Sequence, residues 1–133
     1  MSKLLLIGKN NDYLKECTAR LRQRGYQVVI DENVMEGLRE ISVFGVQCIV
    51  WDVKADDPTR PRKFQAIKRY HRYTPLVLID NDKHPYLKEL DGNTFFVQNE
   101  TPVDELVTKI VELAGRPTIY RDSNSEQEVE FIE

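Results

Sequence analysis

Several residue types that define whole classes of protein are scarce in this sequence. Its 133 residues contain two cysteines, two histidines and one tryptophan. Two cysteines are too few for the disulfide framework of a small secreted domain, and Cys17 and Cys48 lie in apolar segments that favour a role as small core residues. His71 and His84 have no second ligand at metal-binding spacing, so we expect no metal site.

Long apolar runs and catalytic motifs are missing as well. The longest apolar runs, such as Leu4–Ile7 and Cys48–Trp51, have four residues, whereas a membrane helix needs about 20. No apolar signal region follows Met1, so we expect a cytoplasmic protein. The sequence has no glycine-rich phosphate-binding motif and no Ser-His-Asp or Cys-His arrangement at the predicted strand ends, so we do not expect an enzyme.

The charge balance narrows the range of partners. The net charge is −3, with 41% hydrophobic and 31% charged residues, which allows a packed core and a well-solvated surface. A chain with so little net charge is not built as a polycation for nucleic acid or anionic membranes. We therefore expect neither a membrane nor a nucleic acid as its partner.

Short apolar runs alternate with amphipathic stretches along most of the chain. The runs are typical of buried strands and cover Lys3–Ile7, Tyr26–Ile30, Val46–Val53, Leu76–Ile79 and Thr94–Val97. Helical spacing follows each of them: after Asn11, after Asn33, over Phe64–Tyr70, weakly over Pro85–Leu90, and from Thr101 to Gly115. We expect Thr101 to cap the last helix, with Pro102 at its first position and Asp104 at its third, a pattern close to a capping box. Five strands alternating with five helices predict a parallel sheet with helices on both faces, whose functional loops gather at the carboxyl ends of the strands.

The carboxyl-terminal segment differs in composition from the rest. Residues 118–133 carry five acids and one base. We therefore predict a domain over residues 1–117 and a flexible acidic tail over residues 118–133. An alternative is that Val129–Ile132 pairs as a strand on one edge of the sheet.

Five segments carry a family pattern: KLLLIGKNN, GYQVVI, CIVWDV, TPLVLID and FFVQNETPVDELVTKIVELA. Together, over residues 3–114, they resemble the receiver domain of bacterial two-component response regulators. The resemblance implies an α/β fold of the CheY-like, flavodoxin-like type: a doubly wound, five-stranded parallel sheet in a (βα)5 three-layer sandwich. It also implies that Asp52, at the end of the third strand, occupies the phosphoacceptor position.

Four other polar positions depart from that family. Receivers place two acids after the first strand as magnesium ligands, whereas this chain has Gly8 and Lys9. Asp80 replaces the Ser or Thr at the end of the fourth strand, and Asn99 replaces the Lys after the fifth. The resemblance thus implies a degenerate pocket. We expect that magnesium binding is lost, that no cofactor is used, and that Asp52 is not phosphorylated at a useful rate.

Lys9 suggests what replaces the metal ion. We hypothesise that its ammonium group lies between Asp52 and Asp80 as a fixed positive charge, because two uncompensated carboxylates are costly. The alternative is that Lys9 points into solvent.

Two surfaces are candidates for contact with a partner. Phe96 aligns with an aromatic residue of the family's fifth strand, although the ordinary alternation of a strand also explains it. Residues 60–72 include six bases and no acid, among them Arg62, Lys63 and Arg69. This stretch could meet an acidic partner, nucleic acid or the chain's own tail; the alternative is a solvated helix face.

Three functions are compatible with this pattern. The first is a single-domain pseudo-receiver that acts in signal transduction by contact with an unidentified signalling protein, or as a homodimer, without phosphorylation. The second is a working receiver that uses Asp52 in a two-component phosphorelay. The third, a small enzyme or nucleotide-binding protein on a flavodoxin-like fold, has no supporting motif. We favour the first because, of the five characteristic polar positions, Asp52 alone matches the family.

Overall fold

The computed structural model describes residues 3–8, 12–40, 46–53, 58–80 and 92–116. These residues form five strands: β1 (Lys3–Ile7), β2 (Gln27–Asp31), β3 (Val46–Asp52), β4 (Leu76–Ile79) and β5 (Thr94–Val97). They also form four helices: α1 (Asp12–Gln23), α2 (Val34–Glu40), α3 (Arg60–Tyr70) and α4 (Val103–Ala114). Lys9, the predicted helix over residues 85–90 and the tail over residues 118–133 lie outside the described residues.

The strands form one parallel sheet in the order β2-β1-β3-β4-β5. The chain places β2 on one side of β1 and the other three strands on the opposite side. Because crossovers between parallel strands are right-handed, this reversal of direction puts helices on both faces of the sheet. The predicted doubly wound sheet is confirmed. β1, β4 and β5 have the predicted bounds, while β2 lies one residue later and β3 ends one residue earlier.

Both faces of the sheet are packed against helices. On one face, α1 and α4 cover alternate strand residues such as Leu4 and Leu6. On the other face, α2 and α3 cover the residues between them, such as Leu5 and Ile7. Both sets are buried, which explains why β1 is continuously apolar instead of alternating. Within the described part of the chain, no helix is long and apolar enough to cross a membrane.

The start of α4 differs from the prediction. We expected Thr101 to cap the helix, but the helix begins after Pro102, and no side chain caps it. Pro102 has extended backbone angles (φ −56°, ψ 147°), so its own carbonyl becomes the first helical acceptor. That carbonyl receives the N–H groups of Glu105 and Leu106, at 3.0 and 3.1 Å.

The end of α3 also differs. Phe64, Ile67 and Tyr70 have the helical spacing that predicted this helix, but 51% of the Tyr70 surface is exposed. Ile67 is fully buried, and the next buried side chain is His71, just beyond the helix. The backbone leaves the helical conformation at His71 (φ −130°, ψ 56°), so helical spacing no longer decides which side chain faces the core.

Candidate functional site

The parallel strands bring three of the predicted pocket residues to one end of the sheet. Gly8 follows β1, Asp52 ends β3 and Asp80 follows β4. β3 lies between the other two strands, so Asp52 lies between Gly8 and Asp80. Backbone hydrogen bonds continue past the strand ends: Gly8 donates to the Asp31 carbonyl and Asp80 donates to the Val97 carbonyl, each at 2.9 Å. The sheet therefore fixes the backbone of the pocket.

Gly8 packs directly against Asp52. A Cβ atom at Gly8 would lie 2.8 Å from the Asp52 Cβ and 2.8 Å from the Leu14 Cδ1. The leucine methyl group is the end of a flexible side chain, whereas the Asp52 Cβ is attached to the β3 backbone and has little freedom to move. An acidic side chain at position 8, such as the one that receivers have, does not fit this backbone without displacing β1 from β3.

Asp80 is a second acidic residue at this end of the sheet. Its side chain is buried, with 2% of the residue exposed, whereas Asp52 is half-buried. The two residues belong to paired strands, since Asp52 is in register with Ile79, the residue before Asp80. A charged carboxylate loses hydration when it is buried, and a like charge nearby adds to that cost. This end of the sheet therefore carries two acidic residues on paired strands, one of them buried.

The described residues of this pocket do not fit magnesium. Mg²⁺ requires several hard oxygen ligands in near-octahedral geometry. Gly8 has no side chain and no space for one. Nowhere in the described ranges do three or more His, Cys, Asp or Glu side chains converge in a way that could hold a metal ion.

Tyr13 is a pocket residue that the sequence pattern did not single out. Its hydroxyl donates to the Thr101 carbonyl at 2.7 Å and so joins the start of α1 to the loop before α4. Burial, with smaller contributions from the nearby Cys17, Asp52 and Glu105, raises the pKa of Tyr13 from 10.0 to about 12. The hydroxyl is therefore held neutral next to Asp52. Tyr13 lies four residues before the buried Cys17, on the same side of α1. This spacing is the one signal in the sequence that could have indicated that Tyr13 faces the folded domain.

The other predicted residues lie on β5, in the turn after it, and on α3. Asn99 lies in an exposed turn beyond β5. Phe96 is half-buried against the core under α2 and α3, while the Phe95 ring lies on the other face, 5.1 Å from the Lys109 Nζ. Three residues on α3 are predicted to contact a partner. Arg62 and Arg69 are exposed, and Lys63 is half-buried.

The two thiols are buried and far from reactive. Cys17 and Cys48 are free cysteines in the core beneath α1 and α4. Burial raises the pKa of each thiol from 9.0 to about 12. Because the thiolate is the nucleophile, this supports their interpretation as small core residues.

Solved structures of receiver domains have the same fold as this chain. The chemotaxis protein CheY4 of Vibrio cholerae matches with a TM-score of 0.68 and 18% identity, over 85% of this chain and 98% of that chain. A CheY-like receiver domain protein from Methanospirillum hungatei matches with a TM-score of 0.69 and 16% identity, over 98% of both chains. A receiver domain protein from Clostridium thermocellum matches with a TM-score of 0.67 and 15% identity, over 97% of this chain and 99% of that chain.

These similarities confirm the predicted CheY-like, flavodoxin-like α/β fold. No protein-family model matches the sequence, and no curated protein does. Since identities this low establish the fold alone, the pocket around Asp52 has to be judged by its own chemistry.

The packing of Gly8 leads to a first prediction. Gly8→Ala should lower the free energy of unfolding by about 1–3 kcal/mol, because its Cβ atom overpacks against Asp52. The matched control is Gly92→Ala, whose Cβ atom would meet no described residue within 4 Å and should change stability by less than about 0.5 kcal/mol. Urea unfolding followed by Trp51 fluorescence measures both. Equal stability of the two variants would contradict the close contact.

The Tyr13 hydrogen bond leads to a second prediction. Tyr13→Phe should cost about 0.5–1.5 kcal/mol near neutral pH. The folded-state pKa of Tyr13 is raised from 10.0 to about 12, so the stability gained from its neutral hydroxyl is complete below pH 10 and is lost as the pH rises towards 12. The difference between wild type and Tyr13→Phe should therefore shrink across that interval. Tyr70→Phe, at an exposed position, is the control. A stability difference between wild type and Tyr13→Phe that stays constant from pH 10 to 12 would contradict a stabilising hydrogen bond from the neutral Tyr13 hydroxyl.

Proposed function

We propose that this chain is a receiver-like signalling module that acts through protein–protein contact, without catalysis and without phosphorylation of Asp52. The observation that carries the proposal is the pocket around Asp52, in which Gly8 excludes an acidic metal ligand and Asp80 adds a buried carboxyl group. The fold supports a role in signal transduction, and the chemistry of the pocket argues against the phosphorylation switch.

The electrostatic cost of a phosphoryl group supports this proposal. Two unit charges about 4 Å apart repel by about 4 kcal/mol at an effective dielectric constant of 20. A phosphoryl group carries a charge of about −1.5 to −2 at neutral pH. Phosphoryl transfer normally depends on a divalent cation to offset such charge. With an acid at Asp80 and no acidic ligand at Gly8, both phosphorylated Asp52 and the phosphoryl transfer that would form it are disfavoured.

A working receiver in a two-component phosphorelay is the alternative. Asp52 favours it, because this carboxyl group ends β3 and is half-buried, which leaves it partly accessible to a phosphoryl donor. If this alternative were correct, the negative charge of the phosphoryl group would have to be offset without the acidic metal ligands that receivers have after the first strand.

We place the contact with a partner on the outer side of α3. Arg62 and Arg69 are exposed there, and the described residues from 58 to 79 contain no acid. Such a face is complementary to an acidic surface on a signalling protein. A second copy of this chain is the other partner we consider.

Phosphotransfer is the direct test of the proposal. Incubation with acetyl phosphate and magnesium should leave Asp52 unlabelled, because Gly8 provides no acidic ligand for the cation on which phosphoryl transfer depends. Titration with magnesium should likewise leave the fluorescence of the buried Trp51 unchanged. Stoichiometric labelling that disappears in Asp52→Asn would establish the phosphorelay alternative, whereas labelling that persists in that variant would come from another site.

The contact surface is tested by comparing variants in capture experiments with quantitative readout. Proteins bound by the wild type should be retained by Asp52→Asn and lost with the double variant Arg62→Glu, Arg69→Glu. Lys15→Glu reverses one exposed charge on α1, on the opposite face of the sheet, and should have no effect. Capture that requires Asp52 or acetyl phosphate would contradict contact without phosphorylation.

A further inference from the structure

A groove with an apolar floor lies at the end of the sheet opposite Asp52. It runs between the turn after α1 and the end of α4, has a volume of about 450 Å³, and is lined by Arg24, Tyr26, Val111, Gly115 and Arg116. The two arginines are exposed, while Tyr26 is buried and Val111 is half-buried. The floor of the groove is therefore apolar and its rims are cationic.

The last described residues of the chain are anchored at this groove. The Tyr26 hydroxyl donates to the Gly115 carbonyl. The Gln47 side-chain amide donates to the carbonyls of Ala114 and Arg116, at 2.9 and 2.8 Å. These contacts fill acceptors that the end of a helix otherwise leaves open. As a result, the chain leaves the folded domain from one rim of the groove.

The groove has positive charge that the described acids do not neutralise. The ion pairs among the described residues involve Arg20 and Arg39, and neither Arg24 nor Arg116 pairs with a described acid. The Arg24 charge is close enough to the Tyr26 hydroxyl to oppose the rise in pKa that burial causes there. The last turns of α1 and α4 and the residues that follow them carry four arginines against one acid, Glu112: Arg20, Arg22, Arg24 and Arg116.

The sequence that follows Arg116 has the complementary pattern. Residues 118–133 carry five acids and one base, and the last six residues read Glu-Val-Glu-Phe-Ile-Glu. We propose that the segment 128–133 docks in the groove of its own chain. Its acids would meet Arg24 and Arg116, and its apolar side chains would cover Tyr26 and Val111. This inference is independent of whether Asp52 is phosphorylated.

The geometry of the chain makes this docking feasible. Eleven residues, 117–127, separate Arg116 from the proposed docking segment, and at about 3.3–3.6 Å per residue they can span far more than the groove. A short linker gives the segment an effective concentration of roughly 1 mM. Even an intrinsic dissociation constant of about 0.1 mM would then make the docked state about ten times as populated as the undocked one.

The full chain carrying Glu133→Cys tests the proposal. A nitroxide label should react with this cysteine alone, because Cys17 and Cys48 are buried and their thiols have a pKa of about 12; wild type treated in parallel checks this. Paramagnetic broadening should be strong for amides 24–28 and 111–116 and weak near Gly8, Asp52 and Asp80. Roughly 1 M salt should remove it, since the Debye length then falls to about 3 Å.

Charge variants in the labelled chain identify the groove. Glu128→Gln with Glu130→Gln should abolish the broadening without altering the folded part of the chain, and Arg24→Glu with Arg116→Glu should do the same. Arg62→Glu with Arg69→Glu should leave it unchanged. Uniform broadening, or broadening centred on α3, would overturn the proposal. Broadening that appears on an unlabelled, isotope-enriched chain mixed with a labelled one would assign the groove to a second copy and also overturn it.

Discussion

Burial of a parallel sheet between two layers of helices is the constraint on which the rest of this structure depends. Because β1, β3 and β4 are covered on both faces, their side chains are apolar, and polar residues are confined to the strand ends. In a parallel sheet those ends coincide in space. Asp52 and Asp80 are therefore neighbours even though 27 residues separate them along the chain, and any chemistry they support follows from that enforced proximity.

The close approach of Gly8 to Asp52 determines what this pocket can do. Steric exclusion at Gly8 removes an acidic ligand, and the buried Asp80 adds the kind of charge that such a ligand set would have balanced. Tyr13 then joins α1 to the loop before α4 through the Thr101 carbonyl. Each of these contacts ties one element at this end of the sheet to its neighbour, and they support our proposal of a role without phosphorylation.

The two ends of the sheet differ in charge. Described acids cluster at the carboxyl end, in the strand ends and the first turns of helices: Asp12, Asp31, Glu32, Asp52, Asp80, Glu100, Asp104 and Glu105. Arginines predominate at the other end, where the chain leaves α4. An acidic segment that follows Arg116 is repelled by the first end and attracted by the second. The groove belongs to α1 and α4 and the proposed partner surface to α3, on the other face of the sheet, so our two proposals concern different surfaces of the domain.

The sequence by itself determined the secondary structure and the topology. Apolar runs located every strand to within one residue, and the second helix was predicted to follow Asn33, because both signals are local. In the structure the Asn33 side chain accepts the Met35 N–H at 2.8 Å. The family resemblance also identified Asp52, Gly8 and Asp80. Only the tertiary structure decided that Gly8 has no room for a side chain, that Tyr13 bonds to Thr101, that Tyr70 faces solvent, and that Arg24 and Arg116 share a groove. Each of these depends on distances between segments far apart in the chain, which local periodicity does not encode.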